Sequence, residues 1–228
     1  MAIALLGHGS QYRSADGADD LTLNYTSHDG FYRKMITIIT TVSNTSGMMV
    51  SNVTYNKIVL TQLGSGFQME PSLNYKNIQI FYLEEGFFTT GSHDLVAELT
   101  GTVSSIIMEV IEISGATQGI PNYNTNDVAS DDINEMQVPT TIDNTWIISG
   151  FWNTIGANST PESGQTEVED IGLGVRGNAL AMSYYNITPP NAAADSNWSI
   201  SSAASNYQIC ITIPPIRNKN SAILAATF

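Results

Sequence analysis

The chain contains Val53-Thr-Tyr-Asn-Lys-Ile-Val-Leu-Thr61 and, further on, Asn77-Ile-Gln-Ile-Phe-Tyr-Leu-Glu-Glu-Gly86, and these two segments decide the fold class. Apolar and polar residues alternate in both with the period of two that places successive side chains on opposite faces of a strand. Many of these residues are β-branched or aromatic, which favours strands. The Leu63-Gly-Ser-Gly66 sequence between the segments predicts a turn, and Asn56-Lys57 predicts a short hairpin inside the first segment.

The same alternation recurs along the whole chain of 228 residues. It predicts an all-β fold of about a dozen short strands in a single antiparallel sandwich over residues 1–213, rather than two smaller domains. Besides the two segments above, the predicted strands are residues 21–25, 35–42, 94–100, 105–113, 145–152, 171–175, 179–185, 198–202 and 208–213.

Three further expectations concern local structure. Gly101-Thr102 predicts a turn between strands 94–100 and 105–113. Glu109 and Glu112 interrupt the apolar residues of the second of these strands, so one of its faces is expected to meet water. The tightest alternative to strand is a helical turn over residues 129–136, where Ser130 is a candidate N-cap.

Composition and charge exclude several classes of protein. Only 13 % of residues are charged and the net charge is −13, which opposes binding to phosphate backbones and to anionic membrane surfaces. We therefore expect neither a nucleic acid nor a membrane as partner. Residues 1–7 have no basic region and too short an apolar stretch for a signal peptide. The single cysteine, Cys210, lies among apolar residues and predicts a buried, inert thiol.

Long polar stretches predict loops over residues 115–137, 153–170 and 188–197, which suit binding or partner contacts. Pro214 and Pro215 should end the last strand. The remaining tail, residues 214–228, has an apolar end over residues 221–228, which either packs on its own domain or docks onto a neighbouring subunit.

No residue pattern predicts an active site, and we expect no enzyme activity. His8, His28 and His93 are far apart in sequence, and Ser10, His28 and Asp29 lack the Gly-x-Ser-x-Gly elbow that would support a triad. Adjacent acids on a strand point to opposite faces, so acidic doublets are poor glycosidase pairs. The doublets are Glu84-Glu85, Asp131-Asp132 and Glu169-Asp170.

Calcium is the best of the weak cofactor signals. Its candidate ligands are the clustered oxygen-bearing residues Asn126, Asp127, Asp131, Asp132, Asn134 and Glu135. Hard cations bind several carboxylate and carbonyl oxygens, but the order of an EF-hand loop is absent. Solvated charges are the simpler interpretation, and we predict no metal and no cofactor.

The three tryptophans, Trp146, Trp152 and Trp198, allow two interpretations. Exposed aromatic rings could form a platform for sugars, whereas packing in the core is the commoner fate of such residues. Trp146 and Trp152 lie six residues apart and would share one face of an unbroken strand. Burial of the three side chains distinguishes the two interpretations.

The opening segments resemble a jelly-roll-like β-sandwich domain of tailed-phage virion proteins. In that family an alternating strand, here residues 34–42, precedes a V-x-Y-N/G-G-V-x-L/M-T segment, here residues 53–61. A V-x-I-Y-Y-L strand follows, here residues 78–83, and an Ile-Pro step closes the domain, here residues 211–215. The first half of the chain fits well and the rest loosely, and Lys57 replaces the usual glycine.

The resemblance implies a non-enzymatic virion structural protein, such as a capsid decoration, head-fibre or accessory subunit made in the host cytoplasm. The implied partners are capsid or other virion proteins and further copies of the chain, with residues 221–228 and 115–137 as the expected interfaces. One alternative is a carbohydrate-binding or host-recognition module that uses exposed aromatic residues on a host glycan. A sandwich-type hydrolase is the third hypothesis, and it would need carboxylates that converge in a groove.

Overall fold

Strands make up nearly all of the regular structure. A computed structural model describes residues 1–13, 17–69, 75–162, 164–173 and 178–216. In chain order the strands are β1 (Ala4–Arg13), β2 (Ala18–Ser27), β3 (Lys34–Ser43), β4 (Val50–Tyr55), β5 (Ile58–Val59), β6 (Thr61–Met69), β7 (Tyr75–Glu84), β8 (Gly91–Val103), β9 (Ser105–Ser114), β10 (Asn122–Asn134), β11 (Gln137–Val138), β12 (Thr145–Asn153), β13 (Ser159–Pro161), β14 (Thr166–Leu173), β15 (Asn178–Ile187), β16 (Ala194–Asp195) and β17 (Trp198–Ile213). A 3-10 turn spans Glu85–Phe87. The all-β prediction is confirmed, with more strands than a dozen.

The strands form three stacked antiparallel sheets. A central sheet has the order β1-β9-β3-β7-β6, one outer sheet has the order β2-β8-β4-β5, and the other has the order β10-β17-β12-β15-β14 with β13 beside β17. A small β11-β16 sheet completes the set. The sandwich therefore has one layer more than the two sheets of a simple β-sandwich.

The central sheet is buried on both faces. All ten residues of β3 are buried. Ile36 and Ile38 belong to the core shared with the outer sheet that contains β10 and β14. Met35 and Ile39 belong to the core shared with the outer sheet that contains β2 and β5. A strand covered on both sides needs apolar residues on both faces, which explains why the run Met35-Ile-Thr-Ile-Ile39 is so rich in them.

The turn at Asn56-Lys57 is confirmed. Tyr55 pairs with Ile58, so Asn56 and Lys57 form the whole loop of the β4–β5 hairpin. Both have positive φ, 48° at Asn56 and 67° at Lys57, as a two-residue hairpin loop that matches the strand twist requires. Asn tolerates this left-handed region, whereas Lys carries a steric cost there.

Lys57→Gly should stabilise the protein. Glycine reaches positive φ without a Cβ clash, and we expect the free energy of unfolding to rise by about 0.5 kcal/mol after allowance for the freer unfolded chain. Urea unfolding followed by tryptophan fluorescence measures the change. Lys57→Ala is the matched control, since it removes the amine but keeps the Cβ. An equal gain in both variants would show that charge, not backbone strain, is responsible.

Two predicted turns are wrong. Residues 63–66 lie inside β6, where the register with β7 shifts between Leu63 and Phe67, because Gly64 and Gly66 adopt positive φ and form a bulge rather than a reversal. The connection from β6 to β7 falls on residues 70–74, outside the described part. At Gly101-Thr102 the strand continues to Val103, and the chain crosses to the central sheet through Ser104.

The polar stretches also contain strands that the sequence analysis assigned to loops. The predicted loop over residues 115–137 contains β10, which pairs with β17. The predicted helical turn over residues 129–136 overlaps the end of the same strand. The predicted loop over 153–170 contains β13 and the start of β14, and the loop over 188–197 contains β16. β10 is the edge strand of its sheet, so its exposed polar residues resemble those of a loop.

The end of the chain agrees in part with the predictions. Segments 198–202 and 208–213, predicted as two strands, are one strand, β17, which ends at Ile213 before Pro214 as expected. Cys210 is buried, as predicted, and its burial raises the pKa of the thiol. Residues 217–228, Gly174, Val175 and Gly177 lie outside the described residues.

Candidate interaction surface at one end of the sandwich

Glu112 is a buried carboxylate that joins two sheets. Its side chain is fully buried on β9, so the prediction that it faces water is wrong. It accepts hydrogen bonds from Tyr25 Oη at 3.1 Å, Ser27 Oγ at 2.8 Å and the His28 backbone N–H at 3.2 Å. Burial, and then the charge of Glu112, raise the pKa of Tyr25. The three donors satisfy the charge, and Glu112 therefore links the central sheet to the outer sheet.

Glu109 lies on the opposite face of β9 and is also fully buried, so the same expectation of exposure is wrong here. Neither carboxylate oxygen has a hydrogen-bond partner among the described residues. Burial raises the pKa of Glu109 well above its ordinary value, and the nearby charges of Glu169, Asp170 and Glu167 raise it further. A carboxyl in such surroundings is held in its neutral form.

The buried carboxyls do not form a reactive site. Burial raises the pKa of Asp170 to about 6, although the Ser159 N–H opposes this with a hydrogen bond of 2.8 Å. Two carboxylates must flank an accessible sugar in a glycosidase, and Glu109, with no exposed surface, offers a substrate no access. Structural burial is the better interpretation of Glu109.

Glu109→Gln should change how stability depends on pH. The folded-state pKa of Glu109 is raised, so the folded protein binds the proton more tightly and loses stability as pH rises above the unfolded pKa of about 4.3. The Gln variant should have a larger free energy of unfolding than the parent, and this difference should grow with pH by at most about 1.4 kcal/mol per pH unit. Urea unfolding between about pH 4 and pH 8 measures this gap.

The control for this prediction is Glu135→Gln, the same chemical change on an exposed residue. It should leave the pH dependence of unfolding unchanged. A constant difference between parent and Glu109→Gln across the pH range would mean that Glu109 ionises normally in the folded protein.

One end of the sandwich gathers three loops, which we call the loop end: residues 28–33, 85–90 and 115–121. Arg33, only 7 % exposed, fixes the first two loops together. Its guanidinium pairs with Glu85, with Nη2 to Oε1 at 3.0 Å, and donates to the His28 carbonyl at 2.9 Å. It also lies over the Phe88 ring, 4.6 Å from the centroid. A bonded, stacked arginine holds both loops in one geometry.

Lys34 and Gln118 fix the third loop. Lys34 Nζ is almost fully buried, donates to the Gly119 carbonyl at 2.7 Å and lies 3.4 Å from Glu84 Oε1. Burial lowers the pKa of Lys34, and Glu84 opposes that shift. Glu84 also accepts from the Gly119 N–H. Gln118 accepts from the Glu85 N–H at 2.9 Å and donates to the Arg33 carbonyl at 3.3 Å. All three loops are therefore cross-linked.

These fixed loops expose large apolar side chains, which we call the apolar patch: Phe31, Phe87 and Ile120. Their exposed fractions are 76 %, 58 % and 78 %. The backbone beneath Phe31 is held by the Gly115 N–H, which donates to its carbonyl at 2.9 Å. Exposed apolar side chains gathered in one region are typical of interaction sites. Sequence reasoning missed Phe31 and Phe87, whereas Ile120 lies in the loop predicted as an interface over residues 115–137. Each of the three directly follows a glycine, Gly30, Gly86 or Gly119.

Both ends of the described chain lie beside the loop end. The Ile216 N–H donates to the Gly115 carbonyl at 2.8 Å, and the Met1 amino group donates to the Ile216 carbonyl at 3.3 Å. Residues 217–228 follow directly. Of the loop predicted as an interface over residues 115–137, only residues 115–121 belong to this surface.

The structure does not bring together Ser10, His28 and Asp29, the residues that the sequence analysis rejected as a triad. In the register of β1 with β9, Ser10 pairs with Glu109 on one face of the central sheet. Gly7, which lies beside His28, pairs with Glu112 on the other face, so Ser10 and His28 are on opposite faces. Asp29 accepts from Thr90 Oγ1 at 3.1 Å. His93 packs edge-on against Tyr55 with ring centroids 5.6 Å apart.

The calcium candidates lie on β10 and just after it. Asn126 Nδ2 donates to Asn134 Oδ1 at 2.9 Å, so these two amides bind each other. Asp131 Oδ1 accepts from the backbone N–H of Asp132 at 2.8 Å. Within the described ranges, no group of three or more His, Cys, Asp or Glu side chains is placed to hold a metal ion.

The tryptophans are core residues, so a sugar platform built on them is excluded. Trp146 is 8 % exposed, and Trp152 and Trp198 have no exposed surface. Trp146 and Trp152 belong to the same core, as their spacing predicted. Trp152 Nε1 donates to Asn178 Oδ1 at 2.9 Å, and Trp198 Nε1 to Ser149 Oγ at 2.8 Å. Burial with a satisfied N–H is the usual fate of tryptophan.

Comparisons with known proteins do not assign the chain to a family. No protein-family model matches it, and no curated protein matches it significantly by sequence. In the part of the chain that the structure describes, no helix is long and apolar enough to span a membrane.

Proposed function

We propose that this protein is a non-enzymatic structural subunit of a tailed-phage virion, a capsid decoration or head-fibre/accessory protein that acts through protein–protein contacts at the loop end. The observation that carries the proposal is the apolar patch of Phe31, Phe87 and Ile120, exposed on loops that buried charged residues hold in place. The resemblance of the first half of the chain to phage virion domains supports the virion as its location.

The rigidity of the loop end favours a binding role. Ordering a mobile loop on binding costs free energy, and a surface whose loops are already cross-linked avoids most of that cost. Arg33 and Lys34 make these cross-links through hydrogen bonds and ion pairs to Glu84, Glu85, His28, Thr90 and Gly119. The exposed Phe and Ile side chains are thus presented in one geometry, as anchors of an interface are.

Local charge balance also favours contact at this end. The chain carries a net charge of −13, and two copies repel each other at long range. At the loop end, however, Glu84 and Glu85 are paired with Lys34 and Arg33. The pairing of these two carboxylates therefore reduces like-charge repulsion between copies near the apolar patch. We infer that other copies and capsid proteins are its partners, and that association strengthens as salt screens the remaining charge.

Replacing the apolar patch should abolish assembly. The variant Phe31→Ser/Phe87→Ser/Ile120→Ser removes three exposed anchors without touching the buried cross-links, and we expect self-association to weaken by about a hundredfold or more. Light scattering over a concentration series measures it. The matched control is Tyr12→Ser/Val59→Ser/Ile155→Ser, which removes three exposed apolar side chains outside the loop end.

A second measurement addresses the virion. Phage particles assembled without the protein are mixed with the purified parent, patch variant or control, and bound protein is quantified after sedimentation. Saturable binding by parent and control but not by the patch variant is the expected result. A parent protein that stays monomeric and does not bind particles would contradict the proposal, as would equal behaviour of all three proteins.

A further inference from the structure

A groove with a volume of about 650 Å³ runs along the side of the molecule next to the loop end, and we call it the side groove. The bulge of β6 and the start of β10 form one wall, the loop over residues 139–142 forms the other, and Thr145 and Thr212 lie at its base. The volume is in the range of small-molecule sites, roughly 300–1,000 Å³. Ile120 borders both the groove and the apolar patch.

Tyr123 occupies the centre of this region. Its side chain is 42 % exposed, and the residue lines the side groove and two adjoining depressions, one on each side of β10. The phenol lies over Gly64, where a Cβ would overlap the Tyr123 hydroxyl. Gly64 also has a φ of +72°, which suits glycine. The bulge of β6 therefore provides a seat for a partly exposed aromatic ring.

The polar groups of the groove are neutral and available. Asn122 and Asn124 are exposed, and neither side chain forms a hydrogen bond within the described residues. A carboxamide offers both donors and an acceptor. Among the described residues that line the groove, none is Asp, Glu, Lys, Arg or His, although the chain as a whole has a net charge of −13. These described residues offer a charged ligand no opposite charge.

The walls are unsuitable for an added peptide strand. Pro121, Pro139 and Pro214 line the groove, and proline has no backbone N–H to donate. Strand addition depends on such main-chain hydrogen bonds. A ligand bound here must instead use side-chain amides and the face of an aromatic ring.

We propose that the side groove binds a neutral oligosaccharide. The hydroxyl groups of a sugar both donate and accept, which matches the carboxamides of Asn122 and Asn124, and the apolar C–H face of a pyranose matches the ring of Tyr123. The described lining residues carry no charge, which favours uncharged glycans over sialylated, sulfated or uronic-acid chains. The site does not depend on the assembly proposed above, since the groove and the apolar patch share only Ile120.

The test begins with an array of neutral and acidic glycans, probed with the parent protein. A glycan that binds is then titrated by calorimetry with the parent, Tyr123→Ala, Asn124→Ala and the matched control Tyr12→Ala, which removes an exposed tyrosine from β1. We expect the dissociation constant to rise at least about tenfold in Tyr123→Ala and several-fold in Asn124→Ala, and to stay unchanged in the control. It should change less than about twofold between 0.05 and 0.5 M salt.

A second variant tests the seat of the ring. Gly64→Ala removes no groove side chain but displaces the Tyr123 hydroxyl, and it should also weaken binding. Thermal unfolding of each variant establishes that it is folded before binding is measured. The proposal is overturned if no neutral glycan binds, if acidic glycans bind preferentially with strong salt dependence, or if Tyr123→Ala binds like the parent. The proposal would also be overturned if the glycan bound at a different site, from which a peptide displaced it.

Discussion

Burial of the central sheet on both faces is the constraint on which the rest of this structure depends. Strands β3, β7 and β9 each contribute side chains to two cores, so every polar group that they carry must be hydrogen-bonded or neutral. Glu112 meets the requirement with three donors from β2 and the residue after it. Among the described residues Glu109 has no such partners, and its raised pKa favours the protonated form instead. Two glutamates on one strand thus satisfy the same constraint in different ways.

The same constraint shapes the loop end. Lys34 begins β3 and is almost fully buried, so its ammonium must find partners where the central sheet ends. It finds them in Glu84 and the Gly119 carbonyl, and Arg33 next to it finds Glu85. Because Glu84 ends β7, Glu85 follows it and Gly119 follows β9, satisfying two cations cross-links three loops. The fixed backbone then keeps the side chains of Phe31, Phe87 and Ile120 exposed to solvent.

Two surfaces stand out in the described part of this protein. The apolar patch suits a flat protein partner, because its anchors project from the molecule and its neighbouring charges are paired. The side groove suits a smaller, neutral ligand, since it is concave and the described residues that line it are uncharged. Their proximity, with Ile120 between them, means that a subunit docked through the loop end would hold the groove close to the assembly surface.

The sequence by itself determined the fold class, the hairpin at Asn56-Lys57 and the end of β17, because alternation, turn propensity and proline act locally. It misassigned β10 as a loop, because an exposed edge strand is as polar as a loop. It predicted that Glu109 and Glu112 face water, because carboxylates are usually exposed to solvent. Only the tertiary structure decided that an outer sheet covers each of the two glutamates, one on each face of the central sheet, and that Phe31, Phe87 and Ile120, each preceded by a glycine, come to lie at one end. The reason is physical: burial and proximity depend on residues about 30 to 90 positions away in the chain, and short patterns carry no information about such pairs.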